Sequence, residues 1–427
     1  MRILHLSTSD IGGGAARAAF RLHTGLRRIG VDSHMLVLKK QSDEPSVIKL
    51  KWASDLPTRW KRSRRGKRIN ADFAAWQKSL PPWHELFSDD RSAAGYDLVT
   101  QLGRMAGQFD LINLHWVAGL IDYELFFPSV SAGMPLVWRL ADMGAMTGGC
   151  HYDNGCGKFT ARCGACPAIG SSIEDDLSRQ IWLRKNSALA KVETGRLHLV
   201  GTSRWITGEA RRSALLGRFA SSIIPNGLDT EDFAPRDKGF ARDVLGVPRD
   251  KKVVLFVADS ATIQRKGFEY LAAALAGLGG RSDLFLLSVG GHAPVVSGLP
   301  LLHLGKISND RYLSLIYSAA DVFVIPSLQE SFGQTVIESL ACGTPVVGFN
   351  TGGIPDMVRP GITGQLAEVG NALALGDAIV RVLDDPSGHA VMSRNCRAIA
   401  ASEYSMTAQA TAYRALYEML IAGKSVE

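Results

Sequence analysis

The sequence predicts two doubly wound α/β domains, each built on a parallel sheet. Short apolar runs alternate with helical stretches along the chain, and the runs end in loops rich in Gly, Pro and polar residues. The segment I-I-P-N-G-L-D at 223–229 interrupts this pattern, because Pro225 and Gly227 break regular structure and a new series of runs begins beyond them. The expected division is 1–222, 223–404 and a last amphipathic helix within 405–427 that packs back on the first domain.

The expected strands of the first half are 2–8, 34–39, 110–116, 135–140 and 197–202. Those of the second half are 253–258, 285–290, 301–304, 321–326 and 344–349. All are rich in Val, Ile, Leu and Phe, as strands covered on both faces require. Helical periodicity is clearest over 15–29, 268–278, 372–383 and 407–422. With 427 residues, 46% of them hydrophobic and 21% charged, the chain has ample material for two cores. No apolar run approaches the roughly 18 residues that span a bilayer, and the opening M-R-I-L-H-L-S-T-S-D has no long apolar stretch of a leader. A cytoplasmic protein is the expectation.

The net charge of +7 is concentrated. Residues 49–68 carry nine Lys or Arg against the single acid Asp55, with Trp52, Trp60, Trp76 and Trp83 in or near them. Such a segment fits an anionic membrane surface, where it could lie peripherally, or a pyrophosphate-bearing lipid; it also fits a solvated loop. No nucleic-acid-binding signature accompanies it.

The richest stretch runs from Ser318 to Asn350: an apolar run, a loop with Glu330 and Gly333, a helix carrying Glu338, and a second apolar run. This places a helix N-terminus, which attracts phosphate, beside two carboxylates, which bind sugar hydroxyls. Arg265 and Lys266 lie on another strand-to-helix loop of the same half. Alone they read as surface charges; in a doubly wound sheet both loops belong to one crevice, where two cations can neutralise a diphosphate leaving group without a metal. No Asp-x-Asp pair exists in the sequence, which argues against a nucleotide carried by a divalent ion. Gly12, Gly13 and Gly14 follow the first strand, either as a tight turn or as a close approach to ligand. A dinucleotide fingerprint fails there: Arg17 stands in place of the third glycine, and the second strand ends in Lys39 and Lys40 rather than an acid. Cys150, Cys156, Cys163 and Cys166 fall within 17 residues and close in a C-x-x-C, a spacing that suits a structural zinc.

These residues together resemble the GT-B nucleotide-sugar glycosyltransferases of family 4, a fold of two Rossmann-like domains facing across a cleft. The likeness lies in E-S-F-G-Q-T-V-I-E from Glu330, A-C-G-T-P-V-V-G from Ala341, P-N-G-L-D from Pro225 and T-G-G-I-P-D from Thr351. H-W at 115–116 and T-G-G-C-H-Y from Thr147 with its cysteines resemble the bacterial exopolysaccharide, colanic-acid-type branch. The resemblance implies a retaining, metal-independent transfer from a nucleotide-diphosphate sugar to a saccharide or polyprenyl-pyrophosphate-linked acceptor in surface polysaccharide synthesis. It implies Glu338 on the donor ribose, Glu330 and the amides of Phe332, Gly333 and Gln334 on the sugar and diphosphate, Lys266 on the diphosphate, and the Gly12–Gly14 loop near the donor phosphates. Two positions depart from the pattern. Ala261 stands where the family has an Arg, so Arg265 is expected to supply that charge. Ala141 precedes Asp142 where many relatives have His-Asp. Either the imidazole is dispensed with, or His115 or His151 fills its space, or activity is weak. A non-catalytic nucleotide-sugar binder and a GT-B epimerase are the alternatives.

Overall fold

Apolar runs that lie in the middle of a sheet need cover on both faces, and the chain supplies it twice. The computed structural model describes residues 1–77 and 86–423. The chain folds as two compact units, one of Met1–Pro225 with Gln409–Glu427, the other of Asn226–Ala408.

The first unit holds seven strands: β1 (Arg2–Ser9), β2 (Asp32–Lys39), β3 (Val47–Lys49), β4 (Leu111–Leu114), β5 (Leu136–Leu140), β6 (Leu197–Gly201) and β7 (Ser221–Ile223). They pair in the order β3-β2-β1-β4-β5-β6-β7, and every pairing is parallel. β4 and β5 read L-I-N-L and L-V-W-R-L and are buried at every position, as strands covered on both faces must be. The last helix, Met406–Ile421, brings Ala410, Tyr413, Leu416 and Tyr417 against Ile3, Leu22, Leu26 and Leu111 in one apolar cluster. Asn113 donates to the Tyr417 hydroxyl at 2.5 Å from the middle of β4.

The second unit holds β8 (Lys252–Val257), β9 (Leu284–Val289), β10 (Leu301–His303), β11 (Val322–Ile325), β12 (Val346–Phe349) and β13 (Gly364–Ala367), in the order β10-β9-β8-β11-β12-β13. All pairings are again parallel. Its two cores lie on opposite faces of the sheet, one around Leu255, Phe323, Val336 and Leu340, the other around Val254, Val324, Leu271 and Ile379.

From Leu56 onward the basic segment is a helix and not a loop. Residues Leu56–Gln77 form a helix of 22 residues. Trp76 does not share the exposure of Trp52 and Trp60: it packs with Phe73 and Phe87 against Ile169, Leu177 and Ile181. Trp83 lies outside the described residues. Among those described, no helix is long and apolar enough to cross a membrane.

Candidate functional site

The strand order of the second unit winds outward from β8 in one direction and from β11 in the other, so the loops leaving these neighbours part and open a crevice at their C-terminal ends. The chain leaves β8 into a short turn, Gln264–Lys266, and then Gly267, which has φ +65°. A Cβ on Gly267 would stand 1.9 Å from the Pro326 carbonyl oxygen, so only glycine lets this loop press against the end of β11. Leu328 N–H donates to the Arg265 carbonyl at 2.8 Å and ties the two loops together.

The tie delivers three predicted residues to one place. Lys266 Nζ lies 2.5 Å from Glu330 Oε2, and Arg265 Nη1 lies 3.9 Å from the same oxygen while donating to the Gln329 carbonyl at 2.9 Å. Burial pushes the Glu330 carboxyl up, but the two cations outweigh it and hold it below the ordinary glutamate range. The backbone of Glu330 is equally fixed: its carbonyl accepts the Gly353 N–H at 2.8 Å, and a Cβ on Gly352 would sit 2.0 Å from that oxygen. Gly333, at φ +94°, turns the chain into the helix Gln334–Ala341, whose first amides face the same loop end. Phe332 is buried beneath it. Glu338 lies one turn along this helix, where the Tyr317 hydroxyl donates to its Oε2 at 3.2 Å. Tyr317 was not legible in the sequence, since an aromatic residue in a helix is ordinarily core. The sequence assigns Lys266 and Arg265 to a diphosphate; in the free protein both are directed at Glu330.

The first unit has the same winding, with its parting between β1 and β4. Beyond β1, Asp10 accepts from the amides of Ile11, Gln41 and Ser42 and from the Ser42 hydroxyl at 2.7 Å, which fixes the turn. These bonds outweigh burial and hold its carboxyl below the ordinary range. Gly12 is packed, with Gln41 Oε1 2.7 Å from where its Cβ would be, whereas Gly13 and Gly14 face open space at the start of the helix Gly14–Arg28. Their exposed backbone suits close approach by a ligand.

Beyond β4 and β5 lies a pocket of about 460 Å³, part of it open to solvent, lined by Ser88, Trp116, Tyr123, Asp142, His151 and Lys185 among others. His151 Nδ1 sits 2.7 Å from Asp142 Oδ2, and its Nε2 sits 2.7 Å from the Ser88 hydroxyl. The Trp116 indole donates to Asp142 Oδ2 at 2.9 Å and the Gly144 N–H to Oδ1 at 2.8 Å. Burial raises the Asp142 carboxyl, yet these partners, His151 foremost, bring it below the ordinary range. His151 is thus the imidazole beside Asp142. His115 is buried and bonded instead to His5 Nδ1, at 2.8 Å. Ser88 carried no sequence signal; His151 carried one, its place directly after Cys150.

Cys150, Cys156, Cys163 and Cys166 line a second pocket together. The Gly148 N–H donates to Cys163 Sγ at 3.2 Å. Burial pushes the Cys163 thiol up to about 11 and raises Cys150 and Cys166 as well. Among the described residues, no group of three or more His, Cys, Asp or Glu is gathered closely enough to hold a metal ion.

Residues 251–385 match the family Glycosyl transferases group 1. Both Arg265–Lys266 and Glu330–Glu338 fall inside this match. D-inositol 3-phosphate glycosyltransferases of Mycobacterium bovis and Mycobacterium tuberculosis are 36% identical to this chain over 184 residues, which is 40% of the chain and 38% of the relative. The chain therefore aligns with well under half the length of these relatives. Among solved structures, sucrose-phosphate synthase from Thermosynechococcus elongatus aligns over 99% of this chain and 100% of its own, with TM-score 0.66 and 22% identity. Anabaena HepE in complex with UDP-glucose aligns over 98% and 99%, with TM-score 0.64 and 16% identity. The fold is GT-B.

Proposed function

We propose that the protein is a glycosyltransferase that uses a nucleotide-diphosphate sugar. The observation that carries this reading is the cluster of Arg265, Lys266 and Glu330 at the parting of β8 and β11, within the residues matched to the group 1 transferases. A diphosphate would take Lys266 and Arg265 from Glu330, leaving that carboxylate to accept from donor-sugar hydroxyls. Phe332, Gly333 and Gln334 would offer amides and Glu338 would bind the ribose. With two cations to neutralise the leaving group, the reaction is proposed to need no catalytic metal; retention of anomeric configuration is proposed on the resemblance to the family 4 transferases alone. The acceptor is proposed to be a saccharide or lipid-linked saccharide of a surface polysaccharide, assembled at the cytoplasmic face of a membrane. The pocket of Ser88, Trp116, Asp142 and His151, with its hydroxyl-binding groups and aromatic wall, suits an acceptor ring.

A panel of UDP-, GDP- and ADP-sugars read by thermal shift tests the donor assignment. One class should raise the melting temperature at concentrations above its Kd. No shift with any of them would end the reading. A donor that binds but gives neither transfer nor hydrolysis would favour a binding protein, and an isomerised donor would favour an epimerase.

We also propose a structural zinc on the four cysteines. Their convergence on one pocket supports it; the sulfurs would have to close around the ion and release their protons, so binding would be coupled to ordering of the loop. Metal analysis of purified protein should find about one zinc per chain, lost in Cys163→Ser/Cys166→Ser. A folded wild-type chain free of metal after purification in zinc-replete medium would refute it.

A further inference from the structure

The helix Leu56–Gln77 divides its basic residues between two tasks. Arg62, Arg65, Ile69, Phe73 and Trp76 recur at the spacing of one helical face. Arg62 Nη1 reaches Asp97 Oδ1 at 2.7 Å, and Arg65 makes two bonds of 2.8 Å to the carboxylate of Asp122. Asp97 and Asp122 have fully buried side chains, and Phe73 and Trp76 join the apolar cluster beneath. This face holds the helix to the first unit, so Arg62 and Arg65 are already committed.

The opposite face holds Leu56, Trp60, Arg64 and Lys67, again at helical spacing, flanked by Arg59, Lys61 and Arg68. Leu56 is 75% exposed and Trp60 60%, with Trp52 at 51% just before the helix. Leu56 and Trp60, left in water, forgo the free energy that their burial would release, whereas Trp52 packs under the Arg62 guanidinium, 4.9 Å from its ring centroid. The Arg64 guanidinium lies over the Trp60 ring, 5.2 Å from its centroid, so the cation and the ring point the same way. Asp55 is the one acid of residues 49–68, and it is occupied at the helix start, accepting the Thr58 N–H at 2.8 Å.

We propose that this outer face docks on an anionic lipid bilayer, with Leu56 and Trp60 at the level of the headgroups and Arg59, Arg64, Lys67 and Arg68 on the lipid phosphates. An acidic protein would satisfy the charges but has no use for an apolar edge surrounded by cations, whereas an interfacial helix combines the two. The phosphates of a nucleic acid would likewise take the charges and leave Leu56 in water. The docking holds whether or not sugar transfer is the activity, and it is measured without any donor.

The experiment is sedimentation of the full chain with vesicles of phosphatidylcholine alone or mixed with phosphatidylglycerol. Binding should require phosphatidylglycerol and fall as salt is raised. Each neutralised surface cation should weaken it about fivefold, so Arg64→Gln/Lys67→Gln/Arg68→Gln should lose roughly 100-fold. Leu56→Ser/Trp60→Ser should weaken binding at a salt concentration where the wild type still sediments. Both variants keep Arg62 and Arg65, and their circular dichroism should match the wild type. Equal binding to neutral vesicles, no binding to mixed ones, or wild-type binding by the charge variant would overturn the proposal. So would equally tight binding of duplex DNA at the same salt.

Discussion

Lys266→Ala should lower kcat/KM for sugar transfer by about 10- to 150-fold, the equivalent of the 1.5–3 kcal/mol carried by a charged hydrogen bond. The donor's thermal shift should shrink with it. The physical reason is that Lys266 serves two states in turn. In the free protein its Nζ holds the Glu330 carboxylate at 2.5 Å; with donor bound it would hold the diphosphate. Its loss therefore also leaves a buried carboxylate with Arg265, 3.9 Å away, as its one remaining cation beside the Ser331 backbone N–H. Burial would then dominate and push the Glu330 carboxyl up from its present depressed position. Stability should fall by about 1–3 kcal/mol, the cost of an unsatisfied buried group. The double variant Lys266→Ala/Glu330→Gln separates the two roles, because a neutral amide has no charge to compensate. It should recover much of the stability and none of the activity. Urea unfolding and steady-state kinetics on the same preparations measure both. Unchanged kinetics in Lys266→Ala with a verified donor would remove the lysine from the site.

The fold was legible because its central strands are largely apolar runs. β8 stands out as a buried run of Val, Leu and Phe, β1, β5 and β12 as shorter apolar runs interrupted by His5, Arg139 and Gly348, and the helix 372–383 was read to its ends. The strands that escaped notice are short ones: β3 and β7 have three residues each and edge the first sheet, and β13 has four at the edge of the second. An edge strand is half-solvated and needs no apolar run, so its pairing is decided by the neighbour. The basic helix was illegible for a related reason. Its inner face is held by Arg62 and Arg65 on buried carboxylates, so hydrophobic periodicity is replaced by ion pairs with residues far along the chain. At the site, residue types pointed to Glu330, Lys266 and Glu338, because loops at strand ends of a parallel sheet share a crevice. Their pairing did not show: Lys266 and Glu330 are 64 positions apart, and nothing local signals that one neutralises the other. Ser88 beside His151 is the same kind of fact, a contact across 63 positions.

The first unit should lose stability steeply as pH falls from 6.5 to 5, above the range in which carboxylates ordinarily titrate, and go on losing it toward pH 4. Three buried histidines gather here: His5 in β1, His23 in the helix Gly14–Arg28 and His115 just after β4. His5 Nδ1 faces His115 Nε2 at 2.8 Å with the rings 5.1 Å apart, and His23 is held between the hydroxyls of Ser33 and Ser46 at 2.7 and 2.8 Å. Of the two facing nitrogens one must donate and the other accept, which neutral tautomers satisfy and two imidazolium ions do not. Burial lowers all three, His23 to about 4, where Arg27 adds to the lowering and Glu44 opposes it. Each is then a base weaker in the folded chain than in the unfolded one. Its contribution is fully present above the unfolded histidine value near 6.5 and is lost as pH falls below it toward the folded value. For His23 alone the loss approaches roughly 3 kcal/mol at pH 4. A total stability of about 5–15 kcal/mol is ordinary for a domain, so three such groups are decisive. Urea unfolding at pH 7.5 and pH 5 should show the drop. His23→Gln retains a donor and an acceptor for the two serines but cannot be protonated, so its unfolding free energy should change less over this interval. A wild-type profile that is flat from pH 7.5 to 5 would mean that the histidines take up protons without unfolding, and that the packed neutral stack does not describe the protein in solution.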